Sequence, residues 1–162
     1  MKHTISLLVE NKFGVLSRIV GLFSGRAFNI DSISVGPTDD EELSRMTIVS
    51  AGDDRVIEQI IKQLNRLINV IKVIDLTGES FVERELALIK LGATPSTRGE
   101  IVQITNIFRA KVVDISPRTL TVEATGNEAK INAMIGMLRP FGIKEIARTG
   151  KTALSREYRG RT

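Results

Sequence analysis

One order of hydrophobic patterns occurs twice along this chain, and few architectures accommodate it. His3 to Glu10 reads as a strand, and a helix of about residues 15 to 25 follows, with apolar Leu16, Ile19, Val20 and Phe23. Asn29 to Val35 reads as a second strand. Gly36 to Glu42 is a turn or hairpin loop, because Pro37 and the acidic cluster break strand continuity. Arg45 to Ser50 is a third strand, and Asp53-Asp54 caps an amphipathic helix carrying Ile57, Ile60, Ile61, Leu64 and Ile68. Val70 to Leu76 closes the unit as a fourth strand, giving the order βαββαβ.

The second half repeats this order with different residues. Val82 to Leu91 is a strand, and Thr97 with Glu100 predicts a capping-box start for a helix carrying Ile101, Ile104, Ile107 and Phe108. Lys111 to Ile115 and Thr119 to Ala124 are two strands joined through Ser116-Pro117-Arg118. Asn127 caps a helix with Ile131, Met134, Ile135 and Leu138 on its apolar face, ended by Arg139-Pro140. Ile143 to Ala147 is predicted as the last strand. The fold class is therefore α+β, in two βαββαβ domains at residues 1–78 and 79–162. A domain of this size buries only about 60 to 65% of its unfolded surface and leaves sheet edges open, so at least a homodimer is expected.

Composition removes several functions. With 42% hydrophobic and 26% charged residues in 162, the chain has the balance of a globular protein. No apolar run approaches the roughly 18 residues of a membrane span, so no membrane partner is expected. The start MKHTISLLVEN shows no small-residue cleavage site, and the cytoplasm is the expected compartment. Without cysteine there is no disulfide, thiolate metal site or cysteine nucleophile. The single histidine, His3, reads as a surface or strand-end residue rather than a catalytic base. The net charge of +4 is concentrated at the end, where ARTGKTALSREYRGRT carries five basic residues against one glutamate. That basic tail reads as a solvated, mobile end or as a segment docking on an acidic partner surface.

The junction NKFGVLSRIVGLFSGRAFN, from Asn11 to Asn29, carries the functional signal. A strand runs into a glycine turn, and the backbone N–H groups of the following helix start are placed to hold an anion. The turn lacks the spaced glycines and the Lys-Ser/Thr pair of a nucleotide phosphate loop, so a carboxylate, and hence a small amino acid, fits it better. A purely structural role is also open. Gly14 then supplies a turn conformation that side chains disfavour, Ser17 helps open the helix, and Asn29 ends a loop.

The run NKFGVLSRIVGLFSGRAFNIDSISVGPTDDEELSRMTIVSAGDD, followed by VERELALIKL and a terminal ALSR, resembles the regulatory (small) subunit of acetolactate synthase, also called acetohydroxyacid synthase. The likeness spans essentially Met1 to Thr162. It implies an N-terminal ACT domain that binds an amino-acid effector, a C-terminal domain of ferredoxin-like topology, and control of the first common step of branched-chain amino acid biosynthesis. Catalysis would belong to a separate large subunit that binds thiamine diphosphate, magnesium and FAD, with no cofactor or metal in this chain. The small subunit would raise that enzyme's activity and confer feedback inhibition by valine or a related branched-chain amino acid.

The resemblance also implies a site between two protomers of an ACT homodimer. Carried over position by position, Asn11, Gly14, Val15 and Leu16 form its turn side, and Asn29 and Ile30 come from the neighbour. Ser17 is implied as a residue whose enlargement would spoil feedback. The N–H groups of Val15 and Leu16 at the positive end of the helix dipole would hold the carboxylate. Asn side chains would donate and accept around the zwitterion, and Leu16 and Ile30 would suit a branched side chain.

Two other classes fit less well. An enzyme would need a nucleophile–base pair, a histidine cluster or a phosphate loop, and the Asp39-Asp40-Glu41-Glu42 run reads as a solvated loop. An RNA-recognition module shares the βαββαβ order but needs stacking aromatics on its central strands. Here TISLLVE, RMTIVS, VERELALIKL and TLTVEA contain none. A stand-alone ACT-type sensor of a different partner remains the alternative to a synthase subunit.

Overall fold

Alternation along the first strand, β1 (Lys2–Glu10), sends Ile5, Leu7 and Val9 to one face, where they are essentially inaccessible. In this computed structural model, which describes all residues except Ala27, Arg159, Arg161 and Thr162, that face is covered by helices α1 (Val15–Ser24) and α2 (Asp54–Leu64). Strands β2 (Ile30–Pro37), β3 (Leu43–Ala51) and β4 (Val70–Asp75) complete an antiparallel sheet of order β2-β3-β1-β4. Met46 and Ile48 join Val15, Ile19, Phe23, Ile57, Ile60 and Leu64 in one core.

The second unit has the same plan. Strands β5 (Phe81–Gly92), β6 (Lys111–Ile115), β7 (Thr119–Gly126) and β8 (Ile143–Arg148) are ordered β6-β7-β5-β8. Helices α3 (Arg98–Ile107) and α4 (Glu128–Leu138) supply Ile101, Ile131, Met134, Ile135 and Leu138 to a core with Ile89, Leu91 and Val122. Both units thus have the ferredoxin-like arrangement that the order of elements predicts. Asp53 and Asn127 cap α2 and α4 by accepting from the N–H groups of Arg55 and Lys130, at 2.8 and 2.9 Å.

Several expectations are corrected. On α1 the core position is Val15, while Leu16 is 43% exposed. Ile68 lies past the end of α2 and is 90% exposed, and Ile107 at the last turn of α3 faces solvent. The Thr97–Glu100 capping box does not form. The Thr97 hydroxyl instead accepts from the Thr94 N–H at 2.9 Å, within its own turn. His3 is not a surface residue. It is 4% exposed on the helix-facing side, because Lys2 still pairs with Ala51 and the strand does not fray there. Its Nδ1 and Nε2 lie 3.2 and 3.1 Å from carboxylate oxygens of Asp75 and Asp54.

Ile143–Arg148 is not the last strand. Thr152–Ser155 forms β9, which is too short to carry a periodic signal. The contacts of the chain group the described residues from Thr152 onward with Met1–Val82, and Glu83–Lys151 form the second unit. The basic tail, placed with 79–162 on sequence grounds, therefore lies against the first unit. The Ala153 N–H reaches the Thr47 hydroxyl at 3.2 Å, and the Lys72 Nζ donates to the Gly160 carbonyl at 2.9 Å. Short range pattern could not show this, since both partners lie about ninety or more residues away in sequence.

Candidate functional site

The β1–α1 junction is built by a glycine that side chains cannot easily replace. Gly14 sits at φ 79°, in the left-handed region, and its carbonyl accepts the Arg18 N–H at 3.0 Å to start the helix. No side chain caps α1, and no acidic residue lies in its first turn. The Val15 N–H turns back to the Lys12 carbonyl at 3.4 Å. The next two N–H groups, of Leu16 and Ser17, belong to the first turn and have no acceptor within the helix. Of the two N–H groups named from the sequence, that of Val15 thus makes only a long contact and that of Leu16 has no acceptor within the helix.

Neighbouring side chains hold this turn in place. Asn11 donates its N–H to the Glu42 carbonyl at 2.7 Å and its side-chain amide to the Glu41 carbonyl at 3.1 Å. Its amide nitrogen is thereby turned toward the β2–β3 loop. Arg18, one turn into the helix, donates to Asn69 Oδ1 at 3.0 Å, and the Asn69 amide donates to Glu10 at 3.1 Å. The Lys12 ammonium lies 2.9 Å from Glu10, which holds the Glu10 carboxyl below its usual range and the Lys12 amine above its own. Sequence reasoning missed Arg18 and Asn69. It also missed Phe13, whose side chain stands wholly in solvent beside the turn. The signal for Arg18 was its position four residues after Gly14.

Of the seven predicted site residues, Asn11, Gly14, Val15, Leu16 and Ser17 come together at this end of the unit. Val15 does so as a core side chain, contributing only backbone to the surface. Asn29 and Ile30 do not join them. Ile30 pairs with Ser50 and Ser50 with His3, whereas Asn11 follows Glu10 at the far end of β1. Eight strand residues separate the two levels, about 26 Å at 3.3 Å per residue. There the Asn29 amide donates to Asp31 at 2.8 Å, and the Asn29 carbonyl accepts the Ser50 hydroxyl at 2.6 Å. One chain cannot close both groups around one small molecule.

Among the described residues no group of three or more His, Cys, Asp or Glu side chains is gathered to hold a metal, and no helix is long and apolar enough to cross a membrane. At His3, burial acts to raise the Asp75 carboxyl. Hydrogen bonds from the Thr77 hydroxyl and N–H and from the imidazole outweigh it and hold the group below its ordinary value.

Two family models match the chain: an AHAS small subunit-like ACT domain over residues 5–72, and the small subunit of acetolactate synthase over residues 84–157. The chain is 59% identical over 158 residues to the acetolactate synthase small subunit of Aquifex aeolicus, covering 96% of this chain and 82% of that one. It is 54% identical to that of Mycobacterium bovis, covering 98% and 94%. The crystal structure of the acetolactate synthase small subunit from Thermotoga maritima superposes with a TM-score of 0.87 at 42% identity, covering 98% of this chain and 99% of that one. With an ACT domain in its first half and relatives matched over nearly their whole length, this chain belongs to the family of acetolactate synthase small subunits.

Proposed function

We propose that this chain is the non-catalytic regulatory subunit of an acetolactate synthase, activating a catalytic large subunit and conferring feedback inhibition by a branched-chain amino acid, with valine the first candidate. The catalytic cofactors, thiamine diphosphate, magnesium and FAD, would belong to the large subunit. The observation that carries this reading is the pair of half-sites at opposite ends of one sheet. The uncapped start of α1 offers N–H groups and a positive helix end to a carboxylate. Asn29 and Ile30 from a second copy would complete the site, and β2, at the edge of the sheet, is placed for that association. The fully exposed Phe13 and the half-exposed Leu16 give the turn an apolar surface for the same contact.

Effector binding would then tighten the dimer and bias the catalytic chain attached to it, with a coupling free energy of roughly 1 to 3 kcal/mol. A dissociation constant near 0.1 to 1 mM, about −4 to −5.5 kcal/mol, would suit a metabolite sensor. The test is calorimetric titration of the chain with valine, leucine and isoleucine, beside Gly14→Asp and Asn29→Ala. Binding of one of the three that is lost in both variants supports the interprotomer site. Full inhibition by a branched-chain amino acid in complexes reconstituted separately from each variant would overturn it.

A further inference from the structure

The outer face of the first sheet sets two cations close together. The strand register sets Arg45 on β3 and Lys72 on β4 on either side of Leu8 on β1, all pointing away from the helices. Cross-strand neighbours lie about 5 Å apart, so the two half-buried cations flank one apolar side chain. The positions beside them on this face, Ser6, Thr47 and Ile74, are uncharged. Arg45 donates one N–H to the Ser6 hydroxyl at 3.0 Å, which fixes the guanidinium and uses one of its five donors.

A cavity of about 490 Å³ opens over this floor. It is closed by the β2–β3 loop and by Arg156, Glu157, Tyr158 and Gly160 after β9, where the Gly160 carbonyl accepts from Lys72. The closing segments bring a third cation, Arg156, and two carboxylates, Asp39 and Glu157. The carboxylates sit in loops, whereas Arg45 and Lys72 are held by strands. The volume is that of a small-molecule site, roughly 300 to 1,000 Å³.

We infer that this cavity is a second ligand site, for a small organic anion whose charged group rests on Arg45 and Lys72 and whose body lies against Leu8 and Tyr158. A guanidinium on a rigid strand suits the planar, bidentate recognition of a carboxylate or phosphate, and the nearby ammonium adds a second point charge. None of the cavity residues belongs to the α1 junction or to the Asn29 end, and the β2–β3 loop that closes the cavity also receives the hydrogen bonds of Asn11.

The chain reports on this site without a label, since Tyr158 is its single tyrosine and it has no tryptophan. Tyrosine fluorescence of the full chain is followed while pyrophosphate or citrate is added at fixed ionic strength, with potassium chloride as control. A saturable change with pyrophosphate alone assigns a phosphoryl anion, with citrate alone a carboxylate, and with both their shared charge. Arg45→Gln and Lys72→Gln, each checked by circular dichroism for the native fold, are expected to weaken that binding at least about tenfold, the loss of one charge-assisted contact. The inference is overturned if neither anion gives a saturable change, if potassium chloride reproduces it, or if a folded variant binds as tightly as the wild type.

Discussion

The two units share an order of strands and helices but differ in the residues that start their first helices. In the first, Gly14 precedes Val15, Leu16 and Ser17, with no side-chain cap and no acid in the first turn. In the second, Thr97 precedes Arg98, Gly99 and Glu100, so that an acid stands where the first unit has Ser17. The Thr94 carbonyl takes the N–H groups of Thr97 and Arg98, both at 3.1 Å. In both units the first helical N–H is thus tied back to an upstream carbonyl and no side chain caps the start, so the difference lies in the charge of the first turn. The same topology thus carries a first turn without an acid in one unit and with Glu100 in the other, a difference set by a few residues rather than by the fold.

The comparison is broken most sharply at Gly14. Gly14→Asp is expected to lower affinity for the effector amino acid about 10- to 100-fold, the loss of charge-assisted hydrogen bonds worth roughly 1.5 to 3 kcal/mol. Nothing lies within 4 Å of an added Cβ there, so the aspartate fits and acts through its charge and the left-handed φ. Gly14→Asn tolerates that φ without the charge, and titration calorimetry should find its affinity within a few-fold of wild type. A loss in both variants would make Gly14 a purely conformational residue.

Removing the buried imidazole is the next largest change. His3→Ala should destabilise the first unit by about 1 to 3 kcal/mol, since it strips hydrogen bonds from two carboxylates, and a thermal melt would show it. The Asp75 shift gives this cluster a pH signature. A carboxyl depressed by folding contributes stability that is fully present above its unfolded value and is lost as the pH falls through the folded one. Unfolding midpoints should therefore fall on acidification below the ordinary carboxylate range, and less steeply in Asp75→Asn.

The second helices of the two units should respond alike. Asp53→Ala and Asn127→Ala each remove a side-chain cap and should cost about 1 kcal/mol, read from denaturant midpoints. The finest test moves the acid between units. Ser17→Glu copies Glu100 into α1 and should steady that helix by about 0.3 to 1 kcal/mol while lowering effector affinity. Glu100→Gln should lose a similar amount of stability with no effect on effector binding. If Ser17→Glu leaves affinity unchanged, the two helix starts do not differ in the way proposed.

Much of this architecture was legible in the residues. Period-2 strands and period-3.6 helices gave both units, and Asp53 and Asn127 marked two helix starts by a local bond that short sequence separations suffice to predict. Misreadings arose where local pattern and packing part company. Leu16 has helical spacing yet lies on the outer flank, and Ile68 follows the apolar stripe past the end of its helix. Thr97 and Glu100 match the box motif, but the Thr94 N–H wins the threonine hydroxyl. Of the candidate site, Gly14 and its uncapped helix were readable because the signal is contiguous. Arg18, Asn69 and Phe13 were not, since their part in it depends on exposure and on a partner fifty-one residues away.

By itself the sequence determined the repeated βαββαβ order, the two apolar cores and the glycine-led junction, all of which follow from interactions between residues near in the chain. Tertiary structure alone decided that His3 is buried between Asp54 and Asp75, that the basic end returns to the first sheet, and that Asn29 lies at the opposite end of the sheet from Asn11. The physical reason is range. Helix caps and strand alternation are set within a few residues, whereas burial, ion pairing and the separation of half-sites are set by strand register, which joins segments tens of residues apart.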